Sequence, residues 1–303
     1  MSMTRTADHE RIRAAVQAES LRPAQPQLET LVDALRERFG DAFAGALYYG
    51  SCRRQAIPEG IIDLHVLVTD LRRALGGPVP ASLCRLLPPN VYYLEVEHAG
   101  TAVRCKYAVL ALDQFHRACT PAAYHSYFWA RYAQPLTVLA AAEHERVVDS
   151  LVSAVETLAR RSLPRLGPVT SWRRWWVEAL RLCYQAELRP EDRSRAVTLV
   201  DAFPAYFQRT GEAVLALGGA PPSRLAASVA RLDWAARIAL GKLLSLLRLV
   251  KGLYTFDGGI DYVAWKLERH TGRPVAIPER VRRRPLLFIW PLLWRLWRQG
   301  AFR

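Results

Sequence analysis

The stretch YYGSCRRQAIPEGIIDLHVLV, from Tyr48 to Val68, constrains the fold more than any other part of the chain. AGALYYG and IIDLHVLV are apolar runs of strand length, and each reads as a buried strand. Between them CRRQAIPEG is polar, and Pro58 and Gly60 mark a turn. Ahead of them Leu28, Leu31, Val32, Leu35 and Phe39 recur at helical spacing, with Gly40 as the helix stop. The expected unit is helix, strand, Gly-Ser bend, strand. Side chains alternate along a strand, so Asp63 and His65 point the same way.

VYYLEVE, HAGT and AVRCKYAVL predict a β-hairpin. An even-length loop pairs Glu95 with Arg104 and Tyr93 with Lys106. Tyr93, Glu95, Glu97, Arg104 and Lys106 then share one face, and Leu94, Val96, Val103, Cys105 and Tyr107 share the other. After Pro135 the pattern turns helical: TVLAAAEHERVVDSLVSAVETLARR reads as one long helix or two. RSLPRLGPVTS is a boundary candidate. Trp172 to Val250 reads as helix, broken near Pro190, Gly218 and Pro221.

At 303 residues the chain is long enough for two domains. It is 51% hydrophobic and 23% charged, the balance of a globular chain. A net charge of +14 suits a polyanionic partner such as nucleotide phosphates, nucleic acid or anionic lipid. Arginine outnumbers lysine 38 to 4, which singles out Lys106 and Lys251 as places where a compact point charge is kept. Cys52, Cys84, Cys105, Cys119 and Cys183 form no CxxC pair, against a zinc or redox motif and in favour of a reducing compartment. The N-terminal stretch has no apolar signal core, and its Asp8, Glu10 and Glu19 argue against a transit peptide. No apolar run reaches the roughly 18 residues of a spanning helix. The last segment, RVRRRPLLFIWPLLWRLWRQGAFR, joins Arg282, Arg283 and Arg284 to a Trp/Leu-rich run and suits an interfacial helix on anionic lipid. Its basic residues lie beside Trp and Leu rather than along a polar groove, which argues against nucleic acid.

Nucleotidyl transfer needs a flexible turn near the triphosphate, a carboxylate for Mg²⁺ and a positive group for the departing pyrophosphate. Gly50 permits close backbone approach, Ser51 offers a hydroxyl, and Asp63 is a hard oxygen ligand. His65 takes the position where many such sites carry a second carboxylate. Imidazole is a poor Mg²⁺ ligand, so His65 is expected to bond substrate or water or to be structural. Glu95 has Arg104 as a cross-strand partner, which leaves Glu97 as the better second metal ligand.

This arrangement resembles the nucleotidyltransferase superfamily that includes DNA polymerase β. It is most similar there to the mitochondrial translocator assembly and maintenance proteins, which are CTP:phosphatidate cytidylyltransferases, and to their bacterial relatives. The similarity runs in order through Tyr49-Gly50-Ser51, Ile62-Asp63, Val91-Tyr92-Tyr93 and Lys106-Tyr107. It continues through Tyr127, Arg131 and Pro135 to Lys251-Gly252-Leu253-Tyr254-Thr255 and a basic, Trp-containing tail. That family also lacks an acid at the position of His65. The chain departs from it at Cys52, Leu94, Ala130 and Gln134, where the family has Gly, Asn, Gly and Lys.

The resemblance implies transfer of CMP from CTP to phosphatidic acid, giving CDP-diacylglycerol and pyrophosphate. Asp63 would hold Mg²⁺. Gly50, Ser51 and Tyr93 would bind the nucleotide, Lys106 and Arg131 its phosphates, and Lys251 the lipid phosphate. The expected fold is α+β: a nucleotidyltransferase-like mixed sheet over residues 1–165, a helical and optionally winged-helix-like unit over 166–250, and a phosphate-contact and membrane-docking segment over 251–303. The expected location is the bacterial cytoplasm, peripheral on the inner membrane face. A soluble or protein acceptor, and an inactive lipid-binding relative, are the alternatives.

Overall fold

The computed structural model describes residues 2–54, 60–188, 193–217 and 222–255. It is an α+β protein built on one five-stranded mixed sheet of order β3-β4-β2-β1-β5. The strands are β1 (Phe43–Tyr49), β2 (Ile61–Val68), β3 (Asn90–His98), β4 (Thr101–Ala111) and β5 (Thr137–Ala141). β2 and β4 run parallel, and the remaining pairs are antiparallel. Helices α1 (Ser2–Ser20) and α2 (Pro26–Phe39) precede the sheet. The short helices α3 (Leu71–Ala74), α4 (Pro78–Leu86), α5 (Leu112–Ala118) and α6 (Trp129–Tyr132) lie within the strand connections. Then come α7 (His144–Leu166), α8 (Trp172–Gln185), α9 (Arg193–Ala202), α10 (Pro204–Leu217) and α11 (Arg224–Thr255).

The hairpin forms in the expected register, with Tyr93 opposite Lys106 and Glu95 opposite Arg104. Its loop is Ala99-Gly100, with φ of 49° and 75°. Two successive positive φ values match the right-handed twist of the flanking strands. α2 buries Leu28, Leu31, Val32, Leu35 and Phe39, the five residues its period selects. Of these, Leu28, Leu31, Leu35 and Phe39 pack with Tyr48, Ile62, Leu64, Cys105 and Tyr107 on one sheet face.

The other face carries Leu47, Leu67 and Leu110. It is covered by Ile12 of α1, Phe115 of α5, Trp129 and Tyr132 of α6, Val148 and Val155 of α7, and Trp175 and Trp176 of α8. This one cluster runs across residue 165. The helices after it share this cluster: Trp175 of α8 donates Nε1 to Ser162 of α7 at 3.0 Å, and Trp176 meets Tyr206 and Phe207 of α10. Among the described residues no strand follows β5.

Residues 137–141 correct the helical reading after Pro135. They form β5 and pair with β1, with Leu47 opposite Val138 and Gly45 opposite Ala141. TVLAA has a helix-compatible composition, but the unpaired edge of β1 supplies backbone partners that outweigh local preference. Gly45 lets the two backbones close up: a Cβ there would lie 2.7 Å from the Ala140 carbonyl oxygen.

Candidate active site

Along β2 the core gives way to a site on a single strand face. Leu67 and His65 are fully buried, while the Asp63 side chain is 22% exposed. Register places Tyr49, Asp63, Lys106 and Tyr93 side by side across β1, β2, β4 and β3. Lys106 Nζ lies 2.8 Å from Asp63 Oδ1. Tyr93 donates its hydroxyl to Glu95 Oε2 at 2.9 Å, and Arg104 grips the same carboxylate at 2.9 and 3.2 Å.

The Gly-Ser bend sits directly against the carboxylate. Gly50 has φ +91°, and a Cβ there would lie 2.6 Å from Asp63 Oδ2. Both constraints, the positive φ and the missing space, demand glycine. Ser51 is exposed at the start of a 3₁₀ turn, Ser51–Arg54. Cys52, where the resembled family has glycine, is buried and donates its thiol to the Ile61 carbonyl at 3.1 Å, closing the turn onto β2. Arg53 anchors the turn from below. Its guanidinium is buried, bonds Thr137 Oγ1 at 3.0 Å, pairs with Glu19 of α1 and lies 5.0 Å over the Phe203 ring. We expect Gly50→Ala to cost about 1–3 kcal/mol through strain at a positive φ. The same change should push Asp63 off the bend. Urea denaturation measures the first effect, and unchanged stability would refute the close approach.

His65 is fully buried among aromatic rings. Its ring lies 4.6 Å from Tyr49 and 5.1 Å from Tyr132, and Nδ1 is 3.2 Å from the Tyr132 hydroxyl. Burial first, then the charges of Arg131 and Lys106, lower its pKa to about 3, so it is neutral at ordinary pH. A carboxylate at this depth would lack water, which explains why an imidazole fits.

Three other site expectations are revised by the geometry. Glu97 lies at the hairpin tip opposite Ala102, exposed and four residues beyond Tyr93. That spacing is roughly 13 Å along a strand, so Glu97 does not join Asp63. Arg131 faces the site's Tyr49, but its guanidinium is held by Glu187 at 2.6 and 3.0 Å and lies 3.7 Å over the Tyr127 ring. Burial opposes the Arg131 charge, yet Glu187 outweighs it and holds the pKa above the ordinary arginine value. Lys251, the expected lipid-phosphate contact, is buried. It donates to the carbonyls of Leu87 and Pro89 and to Asn90 Oδ1, the last two at 2.7 and 2.8 Å. An ammonium has three donors, and all three are used, so Lys251 fastens α11 to the loop before β3.

Glu187 and Arg53 carry geometry that the sequence reading missed. Glu187 had one usable signal: an acid just past the C-terminal end of a helix opposes the helix dipole and calls for a cation from elsewhere. Arg53 had none, because its partners come from α1 and β5.

Among the described residues no cluster of three or more His, Cys, Asp or Glu side chains forms a metal cage. Mg²⁺ is nevertheless commonly held by one or two carboxylates together with substrate phosphates and water. Asp63 fits that demand as a partly exposed carboxylate that already draws a cation, Lys106, to Oδ1. The chain matches no protein-family model and no curated protein.

Proposed function

We propose that the protein is a phosphatidate cytidylyltransferase, transferring CMP from CTP to phosphatidic acid at a membrane surface. The observation that carries this reading is Asp63, in contact with the positive-φ Gly50 bend and 2.8 Å from Lys106 on a partly open sheet face. Bound Mg²⁺ would supply charge neutralisation along the triphosphate, and Asp63 would hold it. Gly50 admits the phosphate chain close to the backbone, and Ser51 donates a hydroxyl to it. Lys106, 2.8 Å from Asp63, would supply positive charge to the phosphates. Tyr93 lines the nucleotide's side of the row. A phosphate-monoester acceptor is already ionised near neutral pH, so attack on the α-phosphorus requires no dedicated base. That suits a site with one carboxylate.

Membrane docking has support in the described residues. None of their helices is long and apolar enough to cross a membrane. α11 exposes Leu243, Leu246, Leu247, Leu249 and Val250 beside Lys242, a pattern that suits an interface. The arginine- and tryptophan-rich tail expected to dock lies outside the described residues.

An inactive lipid-binding relative is the second reading. The bidentate Arg131–Glu187 pair favours it, because that arginine is neutralised. Incubation with α-³²P-labelled CTP, Mg²⁺ and phosphatidate vesicles separates the two. Label in the lipid fraction is the expected result. Label only on a soluble or protein acceptor changes the substrate, and no transfer with intact vesicle binding favours the inactive relative.

A further inference from the structure

Along the inner face of α11, buried nitrogen donors lack partners. Arg237 is fully buried, lies 4.4 Å over the Tyr124 ring and 4.8 Å over Trp129, and donates Nη2 to Asp233 at 2.8 Å. Its Nε and Nη1 meet no acceptor among the described residues. Arg248, three turns on, lies 4.3 Å over the Tyr127 ring and donates Nε to the Pro88 carbonyl at 2.8 Å. Its Nη2 is likewise buried and unpartnered. His125 stands in the field of both arginines with a buried, unpartnered Nδ1, and burial followed by those charges lowers its pKa to about 4.

The charge count points the same way. Arg131 is balanced by Glu187 and Arg237 by Asp233, whereas Arg248 and Lys251 have no carboxylate partner among the described residues. A half-buried guanidinium and a buried ammonium without a carboxylate partner are costly. A phosphate monoester carries about −1.5 to −2 near neutral pH and has three strong acceptor oxygens. Tyr124 is exposed and Arg248 half-buried, so the cluster borders solvent on that side.

We propose that α11 and residues 124–129 form a binding site for a phosphate-type anion, with Arg248 as its principal contact and His125 and Arg237 supporting it. The site does not depend on CMP transfer at Asp63. Its donors belong to α11 and the segment leading into α6, and it replaces Lys251 with Arg248 as the phosphate contact of α11.

The test uses the full chain and two probes, inorganic phosphate and phosphatidate in phosphatidylcholine vesicles. Thermal unfolding is followed as phosphate is titrated against chloride at matched ionic strength. Phosphate should raise the melting temperature, since a ligand of the folded state stabilises it. Arg248→Gln should remove the rise and weaken phosphate binding about tenfold or more, and Asp63→Asn should leave it intact. Binding of both probes assigns free phosphate as a sufficient ligand. Arg248-dependent binding of the vesicles alone assigns the lipid headgroup. If Arg248→Gln does not fold, Arg248→Lys and His125→Ala are read by the ³¹P line width of added phosphate, and each should reduce the broadening. The proposal fails if neither probe separates wild type from the Arg248 variants, if chloride stabilises equally, or if Asp63→Asn abolishes the binding.

Discussion

Asp63→Asn should reduce CMP transfer by about three orders of magnitude or more, the scale of removing a centre of charge stabilisation from a group-transfer site. Asparagine keeps the shape that fits against Gly50, so the bend stays in place. It removes the charge that holds Lys106 at 2.8 Å and would hold the metal. The pair lies at the edge of the core, with both side chains about a quarter exposed, so the fold should tolerate its loss. Single-turnover rates with CTP and phosphatidate vesicles measure the first effect, and circular dichroism the second. Vesicle binding should persist. Transfer within tenfold of wild type would remove Asp63 from the chemistry and the proposed function with it.

Glu187→Ala should be the most destabilising change near the site. It strands the Arg131 guanidinium, whose side chain is 19% exposed, between Tyr127 and the α8 end without a counter-charge. Removing one partner of a buried pair costs about 3–5 kcal/mol. In a chain of this size that is a fall in melting temperature of about 10 °C. The double variant Arg131→Met/Glu187→Met should regain much of the loss, because an apolar pair of similar volume carries no desolvation cost. Equal stability of the single and double variants would show that Glu187 acts through something other than the charge of Arg131.

The local parts of this molecule were legible because their causes are local. The buried face of α2 follows from the spacing of Leu28, Leu31, Leu35 and Phe39. The hairpin register follows from a two-residue loop, and it set Tyr93 beside Lys106 and Glu95 beside Arg104 as expected. The Gly50–Asp63 encounter was legible because the bend and the carboxylate belong to adjacent antiparallel strands.

The contacts that depart from the sequence reading were decided by distant partners. β5 forms because β1 had an open edge. Lys251 is consumed by the loop before β3, and Arg131 is claimed by an acid just past the end of α8.

The sequence by itself therefore determined the strands, the faces they present and one carboxylate beside a glycine bend, since alternation and turn chemistry act over a few residues. Only the tertiary structure decided which charges are free to meet a ligand. A cation's availability depends on whether folding brings an acceptor to it, and at Arg131, Arg248 and Lys251 these acceptors come from 56, 160 and 162 residues away.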